Sequence, residues 1–574
     1  MSDLKRYYDE EMRYLLGAGR EFAREHPDAG NALSIAETED RDPLVERLFE
    51  NFAFLTARVR QTLDTQDDAM AGQLLDQAAP GLDHPLPAVS VVEFVPSPDT
   101  SETGAVVQRG AEIRSPHLSG LKRPVRFRTT RDCRLQPLRI DDFRLSMGAD
   151  GQSSLDLSIS AIDSAGLARW PERLDIFLGG EQATAWTLRH WLLRKTRRIE
   201  HDGARSAELR IVPTEESHGY SADGSESSRP MQDLRDFFCA DDRFRFVSLV
   251  GLSEAVAAGS RSARIRIQFD QTLPRTLEQG IDPSLPRLNC VPATNCFPEA
   301  CQPHLLDPSR TEYPLLAADG NELEVLETDM FQGASQSDPT KVHVYQRFSG
   351  WRHSSRKAPE NGWYRIVRRP NRSGGMKTAI VVGHPDPDFA FADEYLGGVI
   401  WCCDGDQPVE ILRPGDLREP AEGVPSGLAV RSLTRPSQVY RPPGTHDFRW
   451  KLLAHFQRSF RDLCRLKPLQ ETLRILLWDP REFKKPCIEK MSSVEVSTGY
   501  ELVDATPCPI AKVTVTISDD SIAPDAWDRI GALDAFAALL FRLLDGRRPT
   551  GTRTTLALRI QPLGIVLAHG EVAA

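Results

Sequence analysis

The sequence lacks any run of about 18 apolar residues, the length a helix needs to cross a bilayer, so no transmembrane span and no membrane insertion are expected. Its longest apolar stretch near the C-terminus, residues 532–544, is broken by Asp534 and Arg542 and predicts an amphipathic or buried helix. The opening MSDLKRYYDEEMRYLL is charged throughout and lacks the apolar core of a secretory signal. Ten cysteines in 574 residues are ordinary for a cytoplasmic protein with reduced thiols. A net charge of −11 argues against nucleic acid as a partner, because phosphate contacts need a basic surface. The common chemical signatures are missing too: G-x-x-x-x-G-K-[ST], G-x-G-x-x-G after a strand, H-E-x-x-H and G-x-S-x-G. No catalytic residue, cofactor or metal is expected.

One cluster competes with that expectation. Cys290, Cys296, Cys301 and His304 place four potential zinc ligands in one short segment. They define the alternative reading, a metal- or thiol-dependent enzyme. Zinc knuckles, however, open with two cysteines two to four residues apart, so that both thiolates leave one tight turn. Here the first gap is five residues, the second four and the third two, and Phe297-Pro298 interrupts the cluster, which favours thiols acting as small apolar residues. Cys402-Cys403 beside Trp401 has the same core reading.

Charge and hydrophobicity are those of an ordinary folded chain, long enough for several domains. The expected class is α+β multidomain, an N-terminal helical hairpin or bundle followed by β-rich mixed α/β domains. The expected divisions are 1–84, helical; 85–310, β-rich α/β; 311–440, a second β-rich domain; and 441–574, C-terminal α/β. Residues 3–26 predict a first helix, with Leu4, Tyr8, Met12, Leu15, Gly19 and Phe22 on one face, ended by His26-Pro27. Asp42-Pro43 is a strong start for a second helix over 42–63. Leu44, Leu48, Phe52, Leu55, Val59 and Leu63 fall on one side of it. Val45, Phe49, Ala53 and Phe54 widen that stripe beyond what one neighbour covers. Pro80-Gly81 ends a third helix over about 67–79. Further on, residues 203–229 predict a loop, 350–377 a basic stretch with a loop, 288–297 an irregular apolar segment, and 554–560 the last strand.

Several stretches together carry a resemblance. They are YYDEEMRYLLGAGREFAREHPDAGNAL, DPLVERLFENFAFLTARVRQTLD and LLDQAAPGLDHPLPAVSVVEF, followed in order by RFRTTRDCRLQPL, RLDIFLGGEQATAW, LRDFFCADDRFRFVSLVGL, LNCVPATNCFPEACQPHLLDPSRTEYPL and RPPGTHDFRWKLLAHFQRSF. This succession resembles the TssF family (also called VasA or ImpG), subunits of the phage-like type VI secretion baseplate. The chain departs from the family at Cys296, where a leucine is usual, and at Cys403-Asp404-Gly405. The resemblance implies a non-catalytic wedge protein of a contractile injection system. It implies assembly with TssG, two copies of the chain per TssG and hence a second copy of itself, and contact with TssK, TssE and the VgrG spike. It implies a cytoplasmic location at the secretion complex attached to the inner membrane. It also makes Tyr8, Leu15, Phe22, Leu44, Leu48, Phe49, Phe52, Phe54, Leu55, Val59 and Leu63 the candidate partner-binding residues.

Overall fold

In the computed structural model the described residues are all those outside 1, 33–42, 97–104, 148–152, 164–166, 168, 203, 206–207, 215–226, 275–276, 278–279, 308, 321–322, 337–339, 349–361, 371–374, 385–393, 445–446, 480–483, 504–505 and 571–574. They divide into two compact units, Met1–Gln77 with Gly444–Leu453, and Ala78–Pro443 with Ala454–Ala574.

The first unit is helical. Helix α1 spans Ser2–Glu25, the short α2 Pro27–Ala32, and α3 Pro43–Ala78. Two of these differ from expectation. Pro27 opens a further turn of helix where a loop was expected, as proline does readily at a first helical position. The stretches 42–63 and 67–79 form one unbroken helix of 36 residues. The polar run Asp64-Thr65-Gln66-Asp67-Asp68 resembles a helix break in sequence. Instead, two of its acids tie the helix sideways. Asp64 accepts a 2.5 Å hydrogen bond from the Tyr7 hydroxyl, and Asp68 accepts one from Arg449. The expected cap, Asp42, lies outside the described residues.

Five larger sheets build the second unit. A six-stranded sheet has Val89–Val95 next to its edge, between Cys290–Thr294 and Ala429–Ser432. Segment 290–294, expected to be irregular, is therefore a strand, every residue of it buried. Pro292 is accommodated there in register with Val91. This sheet draws strands from both sides of residue 310. A five-stranded and a four-stranded sheet share one core. Leu155, Leu157 and Ile159 enter it by period-two alternation, as do Ala263, Ile265 and Ile267, against Leu174, Ile176, Val247 and Leu249. Of the expected loop 203–229, Arg210–Pro213 is a strand of the four-stranded sheet, and residues 215–226 lie outside the described residues. An eight-stranded sheet is built largely from the long antiparallel strands Glu324–Ser335, Gly362–Pro370, Met376–Gly383 and Glu394–Cys403. One of these, Gly362–Pro370, falls within the expected basic stretch 350–377, and Met376–Gly383 begins at its end.

The last sheet runs Met491–Val503, Thr506–Ser518, Arg553–Gln561 and Ile565–Gly570. One more strand thus follows the expected last one. Thr506–Ser518 and Arg553–Gln561 are parallel, joined by the helix Trp527–Asp545. That helix meets the helix Gln182–His190 closely at Gly531, where a Cβ would stand 2.2 Å from the Trp186 carbonyl oxygen. Beside this approach Asp534 is buried. The Arg194 Nε–H donates to both its oxygens, at 3.1 and 3.2 Å, and His569 Nε2 lies 3.0 Å from Oδ1.

Candidate interaction surface

The two long helices run antiparallel. Tyr7 bonds Asp64, and Arg60 donates to Glu11 at 2.5 Å, so ascending numbers on α1 meet descending numbers on α3. Burial, and then the Asp64 carboxylate, push the Tyr7 phenol above its ordinary pKa and keep it a hydrogen-bond donor. The face of α3 that makes these contacts carries Ala53, Ala57, Arg60 and Asp64, spaced four, three and four apart. Ala53 and Ala57 are fully buried. Farther along, Ala71 and Leu75 on the same face are also fully buried, beside the Asp68–Arg449 ion pair. Small residues, Leu75 and polar ties thus line the buried face of α3, and most of its large apolar residues lie elsewhere.

Those residues point elsewhere. Leu44, Leu48, Phe52, Leu55, Val59 and Leu63 lie roughly a quarter-turn or more from the alanine seam at 100° per residue. Their exposure runs from 54% at Leu63 to 69% at Leu44. Phe54 (44%) and Phe22 (43%) are exposed as well, while Tyr8, Leu15 and Phe49 are half-buried. Two exposed members were not evident from sequence. Met70 falls in the expected third helix, and Tyr14 lies outside the expected apolar face of α1. The signal for Met70 is a repeat of eleven. Leu44 recurs as Leu55, Leu48 as Val59 and Met70, and Phe52 as Leu63 and Leu74. Eleven residues over three turns gives about 3.67 per turn, close to the helix's own 3.6, so the stripe stays nearly parallel to the axis with a slight right-handed drift.

Cys290, Cys296, Cys301 and His304 are not brought together. Cys290 packs with Val91, Phe177 and Phe246; Cys296 with Leu326 and Cys403; and Cys301 with Phe297, Tyr313 and Cys402. His304 Nε2 lies 2.6 Å from the Pro314 carbonyl oxygen. Strand Phe297–Ala300 separates the thiols, because it leaves one sheet and joins another. Burial raises each thiol pKa, Cys301 to about 11 and Cys290 and Cys296 further, so these sulfurs stay protonated. The grooved face of the five-stranded sheet is a ladder of paired charges, including Arg144 on Asp142 at 2.5 Å and Arg266 on Asp156 at 2.6 Å.

The chain thus combines a helical unit that carries an exposed apolar stripe with a second unit of several sheets, the make-up of a structural subunit. The chain belongs to the type VI secretion system TssF family, whose profile matches residues 1–539. It is 26% identical over 518 residues to type VI secretion system component TssF1 of Pseudomonas aeruginosa, covering 83% of each protein. Its fold is that of a chain in a TssK-TssF-TssG baseplate subcomplex of the type VI secretion system solved by cryo-electron microscopy. That match has a TM-score of 0.74 and 21% identity, and covers 92% of this chain and 99% of the other. A chain of a type VI secretion baseplate complex matches at a TM-score of 0.63 and 21% identity, over 99% of this chain and 98% of that one.

Proposed function

We propose that this chain is a non-catalytic structural subunit of the baseplate wedge, and that partner helices cover the α3 stripe. The observation that carries this is the stripe itself: six large apolar side chains, each more than half exposed, on a helix of 36 residues. Covering one such side chain stabilises by about 1.5–3 kcal/mol, which is the order of magnitude an obligate interface draws on. The relatives support the identity of the partners: TssG and TssK accompany TssF in the solved subcomplex. In this reading TssG and a second copy of the chain, two per TssG, supply the covering helices. TssK, TssE and the VgrG spike are met by the assembled wedge. The site of action is the cytoplasmic face of the inner membrane, and no helix among the described residues is long and apolar enough to cross one. The eleven-residue phase requires covering helices that lie almost straight along α3, because a seven-residue repeat would lose register with it.

The test is co-expression with TssG and TssK. The triple variant Leu48→Glu, Phe52→Glu, Leu55→Glu is expected to lose TssG in a pull-down while the second unit keeps its thermal transition. Retained pull-down at wild-type yield would sink the proposal. The neighbouring seam gives a contrast. Glu50→Lys, an exposed polar position beside the seam and about a third of a turn from the stripe, is expected to leave the pull-down unchanged.

A further inference from the structure

Far along the chain from α3, the hairpin Met491–Val503 and Thr506–Ser518 outgrows its own sheet. The third strand, Arg553–Gln561, pairs only from Ile510 onward, and Gly499 faces Ile510 across the hairpin. Residues beyond that point form a two-stranded arm. Its two edges differ. On Thr506–Ser518 the arm carries Pro507 and Pro509, which lack N–H groups and blunt strand pairing. Met491–Val503 is the outer strand of the sheet, and along its outer edge no strand pairs with it among the described residues.

One face of the arm is also prepared for contact. Val496, Tyr500 and Leu502 alternate onto it and are 40%, 80% and 75% exposed. A groove of about 540 Å³ runs between this face and the short helix Phe460–Leu463. Its far wall presents Arg461 and Arg465, both exposed, and neither forms a side-chain ion pair among the described residues. The nearby carboxylate, Asp462, is held in a capping box with Ser459. The groove is therefore apolar on one side and cationic on the other, beside an open strand edge.

We infer that this arm receives an extended, acidic segment of a partner protein, which adds as a strand along the outer edge of Met491–Val503. Alternate side chains of that segment would cover Tyr500 and Val496, and its carboxylates would meet Arg461 and Arg465. Strand addition explains why one edge is blunted by proline and the other is not. Charge complementarity selects acidic over basic segments.

The test uses the full-length chain in the producing bacterium, with the photo-crosslinker p-benzoylphenylalanine in place of Tyr500. The expected result is one major adduct, mapped by mass spectrometry to a protein segment rich in Asp and Glu. The double variant Arg461→Glu, Arg465→Glu is expected to cut its yield at least fivefold. Changing the captured carboxylates to lysine should then restore it in the double variant. Both arginines are exposed, so the double variant is expected to keep the wild-type thermal transition. The inference is overturned by the absence of an adduct, by a captured segment without carboxylates, by a nucleic-acid or lipid adduct, or by a yield that ignores the charge reversal.

Discussion

At the scale of single residues, buried polar groups mark where the fold is least forgiving. Burial alone would raise the Asp534 carboxyl, but His190, whose Nδ1 lies 3.8 Å away, the His569 hydrogen bond and the Arg194 guanidinium outweigh it and hold the group well below the usual carboxylate range. A carboxyl depressed in the folded state stabilises the fold fully above its unfolded pKa, about 3.9. That contribution is lost as pH falls through the lower folded value. Thermal unfolding of wild type is thus expected to weaken progressively below about pH 4. Asp534→Asn, which leaves the Arg194 charge facing a neutral amide, should cost about 3–5 kcal/mol near neutrality and flatten that acid slope. A variant with an unchanged slope would remove Asp534 from the explanation. Gly531→Ala should also destabilise, because backbone meets backbone there. The thiols give a third residue-scale expectation. Cys290, Cys296, Cys402 and Cys403 are buried, so an aromatic disulfide reagent should reach them only after unfolding; rapid native labelling would contradict their core placement.

At the scale of elements, α3 shows what a periodicity argument reaches. The apolar positions and the Pro43 start were legible, because side-chain spacing maps directly onto a helix surface. The direction each position faces was not. Ala53, expected to widen the stripe, lines the buried seam, while Leu44 and Leu48 stand in the open. Hydrophobicity orders residues by what they would prefer to bury, and it carries no record of which chain does the burying. The helix break expected between residue 63 and about residue 67 does not form, for a related reason: Asp is favoured at caps, but here tertiary partners for Asp64 and Asp68 override that local preference. The region 203–229 yields a sharper expectation. Removing 206–229 as a dispensable loop should destabilise the protein markedly, since it takes away the strand Arg210–Pro213 and the buried Ser228. A circular dichroism melt of the deletion checks this, and wild-type stability would refute the strand's importance.

At the scale of the whole molecule, the class of fold and its helical start were readable from sequence, but the grouping of strands into sheets was not. Strand patterns are local, and pairing is not. The dispersal of Cys290, Cys296 and Cys301 over separate cores follows from the same fact, as neighbours in sequence were sent to different sheets. The same non-local pairing bears on how the protein is made. Ser90 donates a 2.8 Å hydrogen bond to the carbonyl of Thr434, 344 residues later. At roughly 5–20 residues per second, a ribosome needs about 17–70 s to deliver that partner. During that interval the strand Val89–Val95, six of its seven residues destined for burial, lacks its partner Ala429–Ser432. Slow translation between residues 95 and 434 is therefore expected to lengthen the chain's exposure to misassembly.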